Sequence, residues 1–206
     1  MALVLDGSAN TIAGLAAGGL PAGSVTSATL AAGAGGKILQ VKESIHTAAV
    51  TISTGSAYNW NNISQLNVAI TPAANTSKFL INVQIGGEGT YSDHGVFFKL
   101  TRTVSGSATD IGIGDADSTD TRCTAMLTPC YGAGADNDTT SGFFNIPNYL
   151  DYPFGGSGTV SEVTYGVSVM IEDNSKTFYL NDVVNQGDAA GHEKTASWMT
   201  VMEIGA

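Results

Sequence analysis

Three histidines, a run of aspartates and two cysteines are the residues of this chain best suited to acid–base, metal or redox chemistry, and their spacing argues against each. His46, His94 and His192 lie far apart, and no two have the spacing with which one element presents imidazoles to a metal. His94 follows Asp93, but adjacent residues of an extended chain point to opposite sides, so no dyad is expected. Asp115, Asp117 and Asp120 offer carboxylate oxygens to calcium. The stretch lacks the sixth-position glycine and the distal glutamate of an EF-hand loop, so it reads as a solvated turn, as does Asp136-Asn137-Asp138. Gly86-Gly87-Glu88-Gly89 has neither a following Lys-Ser/Thr nor a helix behind it, as a phosphate loop requires. The serine-rich stretches contain no Gly-x-Ser-x-Gly elbow. No pair of carboxylates falls in a pattern that points to glycoside hydrolysis. Cys123 and Cys130 are separated by six residues: they are either two free thiols or a pair closed by a hairpin, and without a nearby histidine they make no zinc site. The chain is therefore expected not to be an enzyme and to hold no metal and no cofactor.

The aromatic residues point elsewhere. Tyr58 and Trp60 sit among Asn59, Asn61 and Asn62, while Tyr131, Tyr149, Tyr152 and Phe154 flank glycine-rich stretches. Rigid rings with amides and carboxylates beside them suit recognition of a saccharide or a protein surface. The competing reading is that they plug the ends of a β-fold or line subunit contacts, where aromatics are also enriched.

The elements that must position these rings are strands. From Lys37 onward, runs of alternating or β-branched residues recur at 38–42, 50–52, 66–70, 78–85, 96–102, 124–127, 143–146, 164–171, 178–181 and 197–204. Thr71-Pro72, Gly86-Gly87, Ser105-Gly106-Ser107 and Gly155-Gly156-Ser157-Gly158 punctuate them. After residue 40 no segment sustains a 3.6-residue apolar period. Crossover helices are thus missing, and the sheets should be antiparallel. The expectation is an all-β fold, an antiparallel, jelly-roll-like β-sandwich over 37–206, with residues 197–204 inside a sheet.

Residues 1–36 differ in kind: Ala, Gly, Ser and Thr with isolated aliphatics at Leu3, Leu5, Ile12, Leu15, Leu20 and Leu30. Leu15-Ala16-Ala17-Gly18-Gly19 and Leu30-Ala31-Ala32-Gly33-Ala34 read as brief helical turns, with polar starts at Asn10 or Thr11 and at Ser27 and glycine stops. Such turns fall well below the ~12–15 residues at which a lone helix becomes marginal, so the segment is expected to dock on something else.

Charge narrows the partners. Eighteen acids against eight bases leave a net charge of −10, and the bases are scattered, so no basic stripe exists to bind nucleic acid or an anionic bilayer. No stretch approaches the ~20 apolar residues of a membrane span. Met1–Asp6 lacks a basic n-region, so no ordinary secretory signal is expected there. Only 13% of residues are charged, against 43% hydrophobic, too apolar for a disordered chain. A surface this poor in charge is expected to be covered in part by neighbouring subunits.

Several short motifs follow one another along the chain: Gly36-Lys37-Ile38-Leu39-Gln40-Val41, Thr71-Pro72 through Ser77-Lys78-Phe79-Leu80, Phe98-Lys99-Leu100-Thr101-Arg102 leading to Ile111–Ala116, Leu150-Asp151-Tyr152-Pro153, Thr164-Tyr165, and Met202–Ala206. Their order resembles that in the small tail-fibre and virion-surface proteins of marine and related bacteriophages. The resemblance spans roughly residues 36–206; the loops 130–148 and 182–194 depart from it. It implies a non-enzymatic, trimeric virion structural protein that is assembled in the host cytoplasm and displayed on the virion surface. The form expected first is a tail fibre or tail-tip adhesin, attached to other virion proteins through residues 1–36 and facing a host-surface glycan or protein. The alternative is a capsid decoration or head-fibre protein.

Overall fold

Phe79, Ile81, Val83 and Ile85 alternate with Leu80, Asn82 and Gln84, and this period of two yields the longest strand of the fold, with the first set buried. The computed structural model describes residues 4–6, 11–13, 37–90, 95–127, 142–187 and 190–205, and the chain divides into two compact units, Met1–Lys37 and Ile38–Ala206.

In the first unit β1 (Val4–Asp6) and β2 (Thr11–Ala13) pair antiparallel, with Leu5 opposite Ile12. A helical start at Thr11 is thereby corrected: it opens a strand, as the β-branched pair Thr11-Ile12 favours. The expected turns at 15–19 and 30–34 lie outside the described residues, as do Leu3, Leu15, Leu20 and Leu30.

The second unit contains β3 (Ile38–His46), β4 (Val50–Ser53), β5 (Asn61–Asn62), β6 (Val68–Ile70), β7 (Lys78–Gly89), β8 (Val96–Val104), β9 (Ser107–Ile111), β10 (Ala125–Leu127), β11 (Gly142–Asp151), β12 (Val163–Ile171), β13 (Thr177–Leu180) and β14 (Ser197–Ile204). One 3₁₀ turn, Ser64–Leu66, precedes β6. Every pairing among the described strands is antiparallel.

Two sheets, each four strands wide, pack face to face. The first runs β3-β14-β7-β11, with β4 and β13 continuing β3 and β14 in tandem along β7. The second runs β6-β12-β8-β9, with β5 and β10 continuing its two edges. The chain pairs early strands with late ones in nested order: β3 with β14, β6 with β12, β7 with β11, β8 with β9. That wrapping is the jelly roll, and the fold is the antiparallel β-sandwich read from the strand pattern.

Two breakers behave differently from expectation. Gly86-Gly87 does not end β7, which continues to Gly89. The bare Cα of Gly86 admits the Phe143 ring and the Thr195 side chain, so glycine here serves close packing across a continuing strand. Ser105-Gly106 forms a two-residue hairpin with both φ positive, at +50° and +79°, and Ser107–Ile111 pairs back on β8.

Between the sheets lies one apolar core. Phe98 of the second sheet stacks on Phe144 at 4.8 Å and meets Phe178 edge-on at 5.5 Å, both from the first sheet. A buried polar cross-link joins the layers. Asp151 of β11 accepts from Arg102 Nη1 of β8 at 2.8 Å and from the Tyr165 hydroxyl of β12 at 2.7 Å. Burial first, then the Asp151 charge, pushes the Tyr165 phenol far above its usual range, so it stays a donor.

Candidate functional site

Strand alternation gives each sheet an inner and an outer face, and the two outer faces differ in chemistry. On the second sheet the outward positions of β8 are Phe97, Lys99, Thr101 and Thr103, and those of β12 are Thr164, Gly166, Ser168 and Met170, paired in register. Asn62 of β5 stands opposite Ser168 and Asp110 of β9 opposite Thr101. Met170, Ser168 and Gly166 are buried at these positions, and the accessible remainder of the face beyond Phe97 is a strip of hydroxyls, amides and one ion pair.

Gly166 is its floor. A Cβ there would meet Asn67 Oδ1, Asn62 Nδ2 at 3.1 Å and Thr101 Oγ1 at 3.2 Å, so three polar side chains converge over bare backbone. Trp60 borders the strip: Lys99 Nζ lies 4.6 Å from its ring centroid and 2.9 Å from Asp110 Oδ2. The Lys99 charge is thus shared between a carboxylate and a ring face, which holds the indole in one orientation. At the far end of the strip, Thr103, Ser105, Ser161, Glu162 and Thr164 line a shallow cleft.

The outer face of the first sheet sets an apolar row beside a polar one, Glu43–Thr200–Asn82. Val41 of β3, Met202 of β14, Leu80 of β7 and Leu150 of β11 stand opposite one another in a single row across all four strands. Ile45 pairs with Trp198, and Ile38 with Ile204, on either side. Of the nine large hydrophobic residues exposed among those described, seven lie on β3, on β11 or just after β11: Ile38, Leu39, Val41, Ile45, Phe143, Leu150 and Tyr152.

The sequence-predicted rings do not gather at one place. Tyr58 and Trp60 sit where β12 ends, the Tyr58 N–H donating to Ile171 O at 3.3 Å; Tyr58 is 61% exposed with φ +59°. Tyr152 lies near the other end, about 25 Å away by the rise per residue along β12. Lys78 Nζ stands 5.7 Å from its ring centroid. Tyr149 covers Gly112, and both it and Phe154 pack against the core, which fits the plugging role more than display. Tyr131 lies outside the described residues, as do His94 and Cys130. Cys123 carries a free, half-buried thiol whose pKa burial pushes up. Lys99, Thr101, Asn67 and Gly166 were not singled out from sequence. The alternation Lys99-Thr101-Thr103 opposite Phe98-Leu100 was the available signal.

The segment following β13 carries a buried carboxylate. Asp182 accepts from the Val183 N–H at 2.9 Å, from Gln186 Nε2 at 3.2 Å and from Lys194 Nζ, while the Val184 N–H donates to Glu88 Oε2 of β7 at 2.7 Å. Burial alone would push Asp182 up; the Lys194 hydrogen bond and charge, with the Val183 and Gln186 donors, outweigh it and hold the carboxyl below its ordinary value. A lowered native pKa means the unfolded state binds the proton first as pH falls. The stabilisation is therefore whole above the ordinary carboxylate pKa and is lost below it. Urea midpoints measured from about pH 6 down to about pH 3 should fall for the wild type and fall less steeply for Asp182→Asn. Equal slopes would refute this assignment.

No protein-family model matches this chain, and no curated protein matches it. Among solved structures it is similar to the "Structure of infectious bursal disease virus Gx strain", at 12% identity and a TM-score of 0.34, over 81% of this chain and 38% of that one. It is also similar to the "Crystal structure of infectious bursal disease virus VP2 subviral particle", at 14% identity and a TM-score of 0.25, over 80% of this chain and 41% of that one. The chain thus spans about two-fifths of the length of those chains, and overlaps of this quality carry no functional argument.

Proposed function

We propose that this chain is a non-enzymatic virion structural protein of a bacteriophage: a homotrimeric tail fibre or tail-tip adhesin that presents its jelly roll to the host surface. In this reading residues 1–36 attach it to other virion proteins, and it is displayed on the virion surface after assembly in the host cytoplasm. The order of the motifs over residues 36–206 supports the family. The observation that carries the role is the unequal pair of outer faces, one polar and bordered by Trp60, the other crossed by the apolar row Val41–Met202–Leu80–Leu150. A module with one face to cover and one to show suits an assembled, outward-facing component. The apolar row that crosses all four strands of the first sheet favours the second reading, a capsid decoration or head-fibre protein lying against a shell.

Trp60 borders the polar strip and Tyr152 the apolar face, so the two rings are expected to serve different ends. Trp60→Ala should reduce adsorption of assembled particles to host cells, since removing an aromatic anchor typically costs at least about 2 kcal/mol, a factor of ~30. Tyr152→Ala should leave adsorption per particle unchanged. Particles that assemble normally with Trp60→Ala and adsorb normally would turn the assignment to the capsid reading. Antibody labelling of purified particles, at the tail or over the head, separates the two directly.

A further inference from the structure

We propose that the polar strip of the second sheet binds a neutral saccharide, with Trp60 as the stacking ring and Asn62, Asn67 and Thr101 reading one sugar hydroxyl. The proposal rests on the reading of this strip as the displayed, recognising face and names its ligand class. It uses neither the trimer nor the place on the particle. The centre of the site is Gly166. Asn67 Oδ1, Asn62 Nδ2 and Thr101 Oγ1 converge on the point where a side chain would begin, the latter two at 3.1 and 3.2 Å. Asn62 and Asn67 reach it from either side of the Ser64–Leu66 turn, and Thr101 stands opposite Gly166 in register. Among the described residues none of these three side chains hydrogen-bonds to another protein group, and both amides are exposed. A carbonyl oxygen, an amide N–H and a hydroxyl thus face one open position above bare backbone.

That set of groups selects the ligand. A hydroxyl donates one hydrogen and accepts up to two, so it can use all three partners at once. A charged ligand finds no free counter-charge on the strip. Lys99 and Asp110 are already paired at 2.9 Å, and the Lys99 side chain, at an outward strand position, is only 15% exposed because the indole covers it. The net charge of −10 further repels anions. Lys99 takes one face of the Trp60 ring and leaves the other to the ligand. The electron-rich face of an indole suits the C–H groups of a pyranose, which carry the positive edge of that contact. Trp60 precedes Asn62 by two residues, about 7 Å of extended chain. A pyranose lying on the ring can therefore present a hydroxyl to the position above Gly166. A sugar combines an apolar ring face with hydroxyls in one small unit, which is the pattern this strip offers in complement.

Saturation-transfer difference NMR on the full chain tests this. The probes are D-glucose, D-galactose, D-mannose and N-acetyl-D-glucosamine, each at about 10 mM, a concentration suited to the weak binding of single sugars. At least one of the four is expected to receive saturation. Thr101→Val should weaken its binding by about 2- to 10-fold, and Asn62→Ala combined with Asn67→Ala by more, through lost hydrogen bonds. Trp60→Ala should weaken it by roughly 30-fold or more. Tyr152→Ala, away from the strip, should leave it unchanged. Circular dichroism and urea midpoints establish that each variant is folded, and Asn62, Asn67 and Thr101 lie outside the apolar core. Transfer to none of the four sugars overturns the saccharide site, and so does transfer that survives both Trp60→Ala and the amide pair. If Trp60→Ala still lowers particle adsorption in that case, the adhesin stands and its ligand on this face is a protein. Sugar binding lost in the variants, beside undiminished adsorption of particles, upholds the site and overturns the adhesin.

Discussion

Asp151→Ala should be the most damaging single substitution at a polar position, lowering stability by about 3–5 kcal/mol. The side chain is 7% exposed and takes both the Arg102 guanidinium and the Tyr165 hydroxyl, so its loss leaves a cation and a phenol between the sheets with nothing to accept from them. Arg102 is itself 20% exposed, and water reaching its far side places the cost toward the lower end of that range. Tyr165→Phe should cost only about 1 kcal/mol, because Asp151 keeps Arg102. Replacing all three together, with Met at 102, Leu at 151 and Phe at 165, should recover most of the loss, since an apolar set of similar volume often equals a buried ion pair. Urea unfolding of the four proteins gives the comparison. A cost below about 1 kcal/mol for Asp151→Ala would show that the cross-link does not hold the layers.

Phe98→Ala should cost a similar ~3–5 kcal/mol through a different cause. The ring is fully buried, and it is the point where β8 meets two strands of the facing sheet, stacked on Phe144 and edge-on to Phe178. Jelly-roll layers touch only through side chains, so truncation here opens a void that the paired backbones on either side cannot close. A double-mutant cycle of Phe98→Ala with Phe144→Ala should return a coupling of about 0.5–1.5 kcal/mol beyond the area lost. Simple additivity within ~0.3 kcal/mol would mean the rings are neighbours without a specific interaction.

How much of this was legible depends on the range of the interaction. β7, β8 and β12 were placed to within a few residues because each alternates large apolar with polar or small residues, and β14 because its run is rich in aromatic, β-branched and other apolar residues, signals confined to one strand. β9 was missed because Ser-Ala-Thr-Asp has no apolar alternation; it forms because a two-residue turn returns it to β8. The partners of Asp151 stand 49 and 14 residues away, and no local pattern reports a distance of that kind. The same holds for the polar strip beside Trp60. Trp60 is conspicuous in an asparagine-rich stretch. That Lys99 holds it, and that Asn62, Asn67 and Thr101 meet over Gly166, follows only from the order of strands in the sheet.

The place of β14 has a consequence for synthesis. It lies between β3 and β7, so the earliest strand of the sandwich waits for the latest, and Gln40 finds Glu203 across 163 residues. Nothing emerging from the ribosome before residues 197–204 can complete the first sheet, and pairings this distant close slowly. A nascent or prematurely terminated chain therefore displays Val41 and Leu80 without the Met202 that sits between them. Such chains are substrates for chaperones and proteases, and only full-length translation products carry the finished surface.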